Sequence, residues 1–149
     1  AKLLMVGDGP EREPAEKLVE QLGISDKVVF FGNSNEINEI LCLTDLFLLP
    51  SQTESFGLAA LEAMAAGVPV ISSNAGGLSE VNRSGISGYL GDVGDVEYMA
   101  EKALYILSDD NRLATFKRNA LENAREFDIQ KIMPMYENIY RRALKQQFV

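Results

Sequence analysis

The chain has 149 residues, 46% of them hydrophobic, with 14 Lys and Arg against 22 Asp and Glu, a net charge of −8. One domain of this size buries roughly 68–70% of its unfolded surface, and without a stripe of cations it does not suit binding along a nucleic-acid backbone. A single cysteine and no histidine exclude an internal disulfide, His-based catalytic triads and the usual zinc sites.

Lys2–Val6 is a short apolar run ending in the turn Gly7-Asp8-Gly9-Pro10. Residues 11–22 read as an amphipathic helix with Ala15, Leu18, Val19 and Leu22 on one face, and Gly23 stops it. Pro14 is tolerated there only within the first turn. Val28–Phe31 is a β-branched and aromatic strand closed by Gly32-Asn33-Ser34-Asn35. A short helix is expected over 36–43, with Cys42 as a small core residue. Leu46–Leu49 then reads as a buried strand ended by Pro50.

A helix over 57–66 stops at Gly67, with Leu58, Leu61, Met64 and Ala65 expected as its core face. Val68–Ile71 is the next strand, Gly76-Gly77 opens a helical turn through Val81, and Gly88–Leu90 is extended. From Asp95 the pattern is helical. Met99, Ala103, Ile106 and Leu107 make one face, and Leu113, Phe116, Ala120 and Ala124 another. The last helix starts near Gln130, with Ile132, Tyr136, Ile139, Tyr140 and Leu144 as its apolar face.

Strands alternate with helices and are apolar throughout, as in a sheet covered on both faces. The expected fold is α/β, a doubly wound parallel sheet with extra C-terminal helices. Ligands in such folds bind beyond the carboxyl ends of the strands. The loops there are Gly7–Pro10, Gly32–Asn35, Pro50–Gly57 and Ser72–Gly77. One thiol fits a reducing compartment, and no apolar run approaches the roughly 18 residues of a membrane-crossing helix. A cytoplasmic protein without an integral membrane segment is expected.

Gly7-Asp8-Gly9-Pro10-Glu11-Arg12 fails as a dinucleotide fingerprint, because Arg12 stands where the last Gly is needed. It reads either as a plain turn or as a place where backbone approaches a ligand. Gly57-Leu58-Ala59 is more informative. The first amides of a helix lack internal partners and carry the positive end of its dipole, which suits a diphosphate. Gly76-Gly77 repeats the pattern, with Glu80 read as a capping carboxylate. Glu54 precedes the first of these helix starts and Glu62 lies about one and a half turns inside it. Either carboxylate can be a surface residue, or the two can accept hydrogen bonds from hydroxyls on both sides of a diphosphate.

Glu54-x7-Glu62, with Ser55-Phe56-Gly57-Leu58 between and Ala63-Met64-Ala65-Ala66-Gly67-Val68-Pro69-Val70 after, resembles the retaining GT-B glycosyltransferases of family four. Val6–Glu11, Val29–Gly32, Asp45–Ser51, Gly76–Val81 and Gly88–Leu90 agree in order. Within that family, the resemblance is to the bacillithiol branch, which takes N-acetylglucosamine from UDP to L-malate.

The resemblance implies a Rossmann-like half of a GT-B fold, with residues 1–149 as the C-terminal donor-binding domain, lacking its first strand and the N-terminal acceptor domain. It places Glu62 on the ribose and Glu54, the catalytic residue, against the donor sugar. Ser55, Phe56, Gly57 and Leu58 face the sugar and diphosphate, and Gly7, Gly32, Asn33 and Ser34 border the nucleotide. The implied partners are a UDP-sugar and a small acceptor, with no metal and no cofactor.

Two departures bear on this. The family's diphosphate-neutralising Arg and Lys lie upstream of the Val6–Glu11 strand end, so the piece alone is expected to be inactive. Ser79 stands where Pro is common. Two rival readings are a catalytically silent nucleotide-sugar module and a ligand-free α/β interaction domain. An uncovered sheet region at the start of the chain is expected to favour self-association.

Overall fold

The computed structural model describes residues 1–146. They divide into two compact units, Ala1–Ile37 and a larger one from Asn38.

In the first unit, β1 (Leu3–Val6), α1 (Arg12–Gln21) and β2 (Val28–Gly32) form one parallel βαβ unit. Leu3 lies opposite Val28 and Met5 opposite Phe30, and the register then slips so that Val6 faces Gly32. Helix α1 starts beyond the Gly9-Pro10 turn, where the Arg12 amide bonds the Gly9 carbonyl. Pro14 falls in the first turn, where its missing N–H is harmless. Arg12 pairs with Glu16 at 2.9 Å, and Lys17 with Glu13 at 2.6 Å. The hydrogen bond that Arg12 donates to Glu16 raises the Arg12 pKa.

Val28 is the buried residue of this unit, while Leu3, Leu4, Met5 and Val6 all remain exposed, as do Val29 and Phe31. A sheet covered on both faces is therefore not what β1 and β2 form. They pair with each other, and β3–β5 make a second sheet.

The second unit carries α2 (Ile37–Cys42, starting at the boundary), β3 (Phe47–Leu49), α3 (Leu58–Ala65), β4 (Val70–Ser73), α4 (Leu78–Val81) and β5 (Gly88–Gly91). Next come α5 (Val96–Leu107), α6 (Asp110–Ala124), a 3₁₀ turn (Arg125–Phe127) and α7 (Ile129–Gln146). The strands are parallel in the order β3-β4-β5, with Ile71 between Leu48 and Tyr89. All four residues of β4 are buried, as suits a central strand of a parallel sheet. On β3, by contrast, Leu48 is exposed.

Ile71, Met99, Ile106 and Phe116 form a core cluster, with Leu46, Tyr89, Ala103 and Leu113 packed against it. The faces expected for α5 and α6 are thus the ones that pack, apart from Leu107, which lies at the edge of exposure. Asp95 and Asp109 cap the two helices by accepting the Tyr98 and Arg112 amides. Such caps contribute typically about 1 kcal/mol each.

A buried polar hub ties the sheet to α4. The Asn82 amide donates to the carbonyls of Val70 and Tyr89 and to the Ser72 hydroxyl, at 3.0–3.1 Å, and Asn82 Oδ1 accepts from the Ser87 hydroxyl. Both polar atoms of the Asn82 side chain are used, so its complete burial leaves neither unsatisfied.

Three expected faces change. Cys42 is exposed and the adjacent Leu41 is buried instead, because neighbouring helix positions differ by about 100°. On α3 the buried set is Ala60, Ala63 and Met64, with Leu58 63% exposed. Small residues let α3 lie close against α6, so the helix turns its alanines inward rather than Leu58 and Ala65. On α7, Ile132 is half-buried but Tyr136, Ile139, Tyr140 and Leu144 are exposed.

Candidate functional site

The loops expected to carry function lie at the carboxyl ends of strands. In the first unit, Gly7 follows β1 and Gly32-Asn33-Ser34 closes β2. The two ends are joined: the Gly7 amide donates to the Gly32 carbonyl at 2.8 Å. Both glycines have positive φ, +126° and +77°. Asp8 Oδ1 accepts from the Gly9 amide at 2.8 Å, and Ser34 Oγ accepts from the Glu36 amide at 3.0 Å. These turns are built from local hydrogen bonds and leave Gly7 and Asn33 exposed.

In the second unit, β3 ends at Leu49 and the chain runs through Pro50–Phe56 into α3. Gly57 is the pivot. It is buried, adopts φ +99°, ψ +41°, and its carbonyl receives the Leu61 amide at 3.0 Å. A Cβ at this position would lie 2.7 Å from Leu78 Cδ2 and would be held in a left-handed conformation. No described side chain caps α3. The Leu58 and Ala59 amides at its first turn are therefore donors without intrahelical partners, at the positive end of the helix dipole.

Glu54 is half-buried, and its Oε1 accepts the Ser55 amide at 3.1 Å. Glu62, one turn into α3, is exposed. Ser55 is exposed, Phe56 is 37% exposed, and the Phe56 ring meets Phe127 edge-on with centroids 6.1 Å apart. The structure thus brings Glu54, Ser55, Phe56, Gly57, Leu58 and Glu62 into one stretch, a turn and the helix it starts.

Gly76 and Gly77 differ from expectation. They are the floor of that turn and do not form a second anion cradle. A Cβ on Gly76 would lie 1.6 Å from the Glu54 carbonyl oxygen, and one on Gly77 would lie 2.7 Å from Phe56 Cα. The Gly77 amide donates to the Glu54 carbonyl at 3.3 Å, so it is not free for an anion. The start of α4 has no side-chain cap, so Glu80 does not serve as one. Ser73 Oγ donates to the Ser51 carbonyl, a second tie between β4 and the turn.

Sequence reasoning missed two participants. Phe127 sits in a 3₁₀ turn that helical periodicity does not reveal. Asn82 carries no motif, and among Ser79, Glu80, Arg83 and Ser84 its polar character does not mark it out.

The parallel α/β fold thus ends β3 in a turn that sets Glu54 before the start of α3 and Glu62 one turn into it. The chain belongs to the glycosyl transferases group 1 family, whose profile matches residues 1–123. Its fold is the Rossmann-like half of a GT-B glycosyltransferase.

The chain is 45% identical to the N-acetyl-alpha-D-glucosaminyl L-malate synthase of Bacillus anthracis over 97% of its own length and 38% of that protein's. Among solved structures it is similar to Anabaena Alr3699/HepE in complex with UDP and glucose. That match has a TM-score of 0.82 and 28% identity, covering 94% of this chain and 40% of the other. It is also similar to a sucrose-phosphate synthase from Thermosynechococcus elongatus, with a TM-score of 0.84 and 30% identity, covering 97% and 39%. The chain therefore spans about two fifths of the length of these proteins. Among the described residues, no helix is long and apolar enough to cross a membrane.

Proposed function

We propose that this chain binds a nucleotide sugar, UDP-N-acetylglucosamine, as the donor half of a retaining family-four transferase whose acceptor is a small hydroxy acid such as L-malate. The observation that carries the reading is the turn Glu54–Gly57 running directly into an uncapped helix that bears Glu62. The 45% identity to a protein named for N-acetylglucosaminyl transfer to L-malate supports the sugar and the acceptor. The likeness to a protein crystallised with UDP and glucose supports the base.

In this reading the Phe56–Leu58 amides meet the diphosphate, Glu62 accepts from the ribose hydroxyls, and Glu54 faces the sugar. Transfer proceeds on one face of the sugar. The bond from the anomeric carbon to the diphosphate oxygen breaks as the acceptor oxygen bonds that carbon, and the leaving phosphate takes the acceptor's proton. The negative charge on that phosphate is greatest in the transition state, so donors already aimed at it accelerate the step. Glu54, as a carboxylate, stabilises the positive character that develops on the sugar.

Calorimetric titration with UDP-, GDP- and ADP-sugars tests the reading. Binding of the UDP-sugar in preference to the others is expected. No binding of any of the three, or preference for a purine nucleotide, overturns it.

A further inference from the structure

Phe56 is the aromatic side chain of the Glu54–Gly57 turn, and its ring is occupied by another aromatic. Phe127 meets it edge-on, with the planes at 73° and the centroids 6.1 Å apart. Aromatic pairs favour this geometry, in which the positive edge of one ring meets the negative face of the other. Phe127 comes from the 3₁₀ turn between α6 and α7, far along the chain from Phe56.

That turn is well anchored. Helix α6 packs on α3, and the buried Asn123 amide donates to the Val81 carbonyl at 2.7 Å. Lys131 bonds Glu126 at 3.0 Å across the junction with α7. Phe127 is thus fixed from behind and braces Phe56 from the side. From beneath, the same turn rests on Gly76 and Gly77, with a single long hydrogen bond of 3.3 Å from the Gly77 amide to the Glu54 carbonyl.

We propose that Phe127 is a positioning residue: by holding the Phe56 ring it fixes the peptide planes from Ser55 to Gly57, and with them the amides at the start of α3. The proposal rests on the donor-binding reading above for its functional consequence, and acts through Phe56. A displaced Phe56 side chain rotates its own peptide. Gly57, with no Cβ and a positive φ, offers little resistance to that rotation. A turn built for a ligand gains from a brace of this kind, because donors held in place need no reordering on binding.

The test is Phe127→Ala, with Phe127→Tyr as the conservative variant that keeps the ring. Two hydrogen-bonded amides report the turn directly: Gly77, which donates to the Glu54 carbonyl, and Leu61, which donates to the Gly57 carbonyl. An aromatic pair's contribution corresponds to about a 2- to 12-fold change. Exchange at these two amides is expected to accelerate by that factor in Phe127→Ala, with β4 amides unchanged, and affinity for the UDP-sugar to fall by a similar factor. Phe127→Tyr should restore both, and Phe56→Ala combined with Phe127→Ala should be no worse than either alone.

Unchanged exchange at Gly77 and Leu61 overturns the proposal. Equal acceleration in β4 also overturns it, since Phe127 would then be a general core residue. Faster exchange with full affinity in a chain that binds the UDP-sugar removes the functional half. If the unsubstituted chain binds no nucleotide sugar, the donor reading fails by itself and the exchange data still decide whether Phe127 holds the turn.

Discussion

Gly76→Ala is the substitution whose effect the structure defines most sharply. An added Cβ would stand 1.6 Å from the Glu54 carbonyl oxygen and 2.8 Å from its carbon, at φ +52°. Both atoms are backbone, so relief requires the Glu54 peptide or the start of α4 to move by more than an ångström. The left-handed conformation costs an alanine roughly 1–2 kcal/mol, and overpacking adds about 1–3 kcal/mol, for a total of roughly 2–5 kcal/mol. Gly85 isolates the first contribution, because it has φ +79° with open space where a Cβ would go. Gly85→Ala should therefore cost only about 1–2 kcal/mol. Urea unfolding of both variants with equal slopes measures the difference directly. In whatever fraction of Gly76→Ala remains folded, binding of the UDP-sugar should be weakened, while Gly85→Ala should bind as the parent chain does. If Gly76→Ala is no more destabilising than Gly85→Ala, the Glu54 turn does not rest on Gly76 and the account of the site's floor is wrong.

Affinity for the nucleotide sugar should be unchanged by chelator, since the Phe56–Leu58 amides meet the diphosphate in this reading; a large loss on adding EDTA contradicts it. The exposed apolar residues of β1 and β2, among them Leu4 and Phe31, are expected to drive concentration-dependent self-association. Sedimentation showing a clean monomer at high concentration contradicts that expectation. The Lys131 hydrogen bond and charge hold Glu126 below its ordinary pKa of 4.5, with Arg83 adding to the effect and partial desolvation opposing it. Because the folded value is the lower one, the pair contributes at pH above 4.5 and the contribution is lost as pH falls through the folded value. Glu126→Gln should accordingly remove a small, salt-sensitive part of the acid dependence of stability, and an unchanged pH profile at low salt refutes the pairing.

The order of strands and helices was legible because glycine and proline punctuate it: Gly23, Pro50, Gly67 and Gly88 each stand within two residues of an element boundary. The parallel pairing followed from strand and helix alternation and is present in both sheets. Burial was harder to read. A run such as Leu3–Val6 has the same composition whether or not anything covers it, and the wholly apolar β1 is exposed while β4, which carries two serines, is wholly buried. Helix faces failed where small residues decide them. Ala60 and Ala63 carry little hydrophobic signal yet are fully buried, whereas Leu58, a strong signal, is exposed. At the site, Glu54, Gly57 and Glu62 were visible as a spaced motif, because the motif is local in the chain. Gly76 and Gly77 were visible as glycines but not as the turn's floor, and Phe127 was not singled out, since a contact that distant in sequence leaves no periodic trace.

The assignment of one carboxylate to the ribose and the other to the sugar is tested most directly by titrating UDP and the UDP-sugar into Glu62→Ala and Glu54→Gln, with folding checked by circular dichroism. Losing hydrogen bonds to a charged group costs roughly 1.5–3 kcal/mol, or about one to two decades in affinity. Glu62→Ala should lose that much for UDP and UDP-sugar alike, whereas Glu54→Gln should leave UDP binding nearly unchanged. If both variants lose UDP equally, or neither loses any, the two glutamates do not divide the donor in this way.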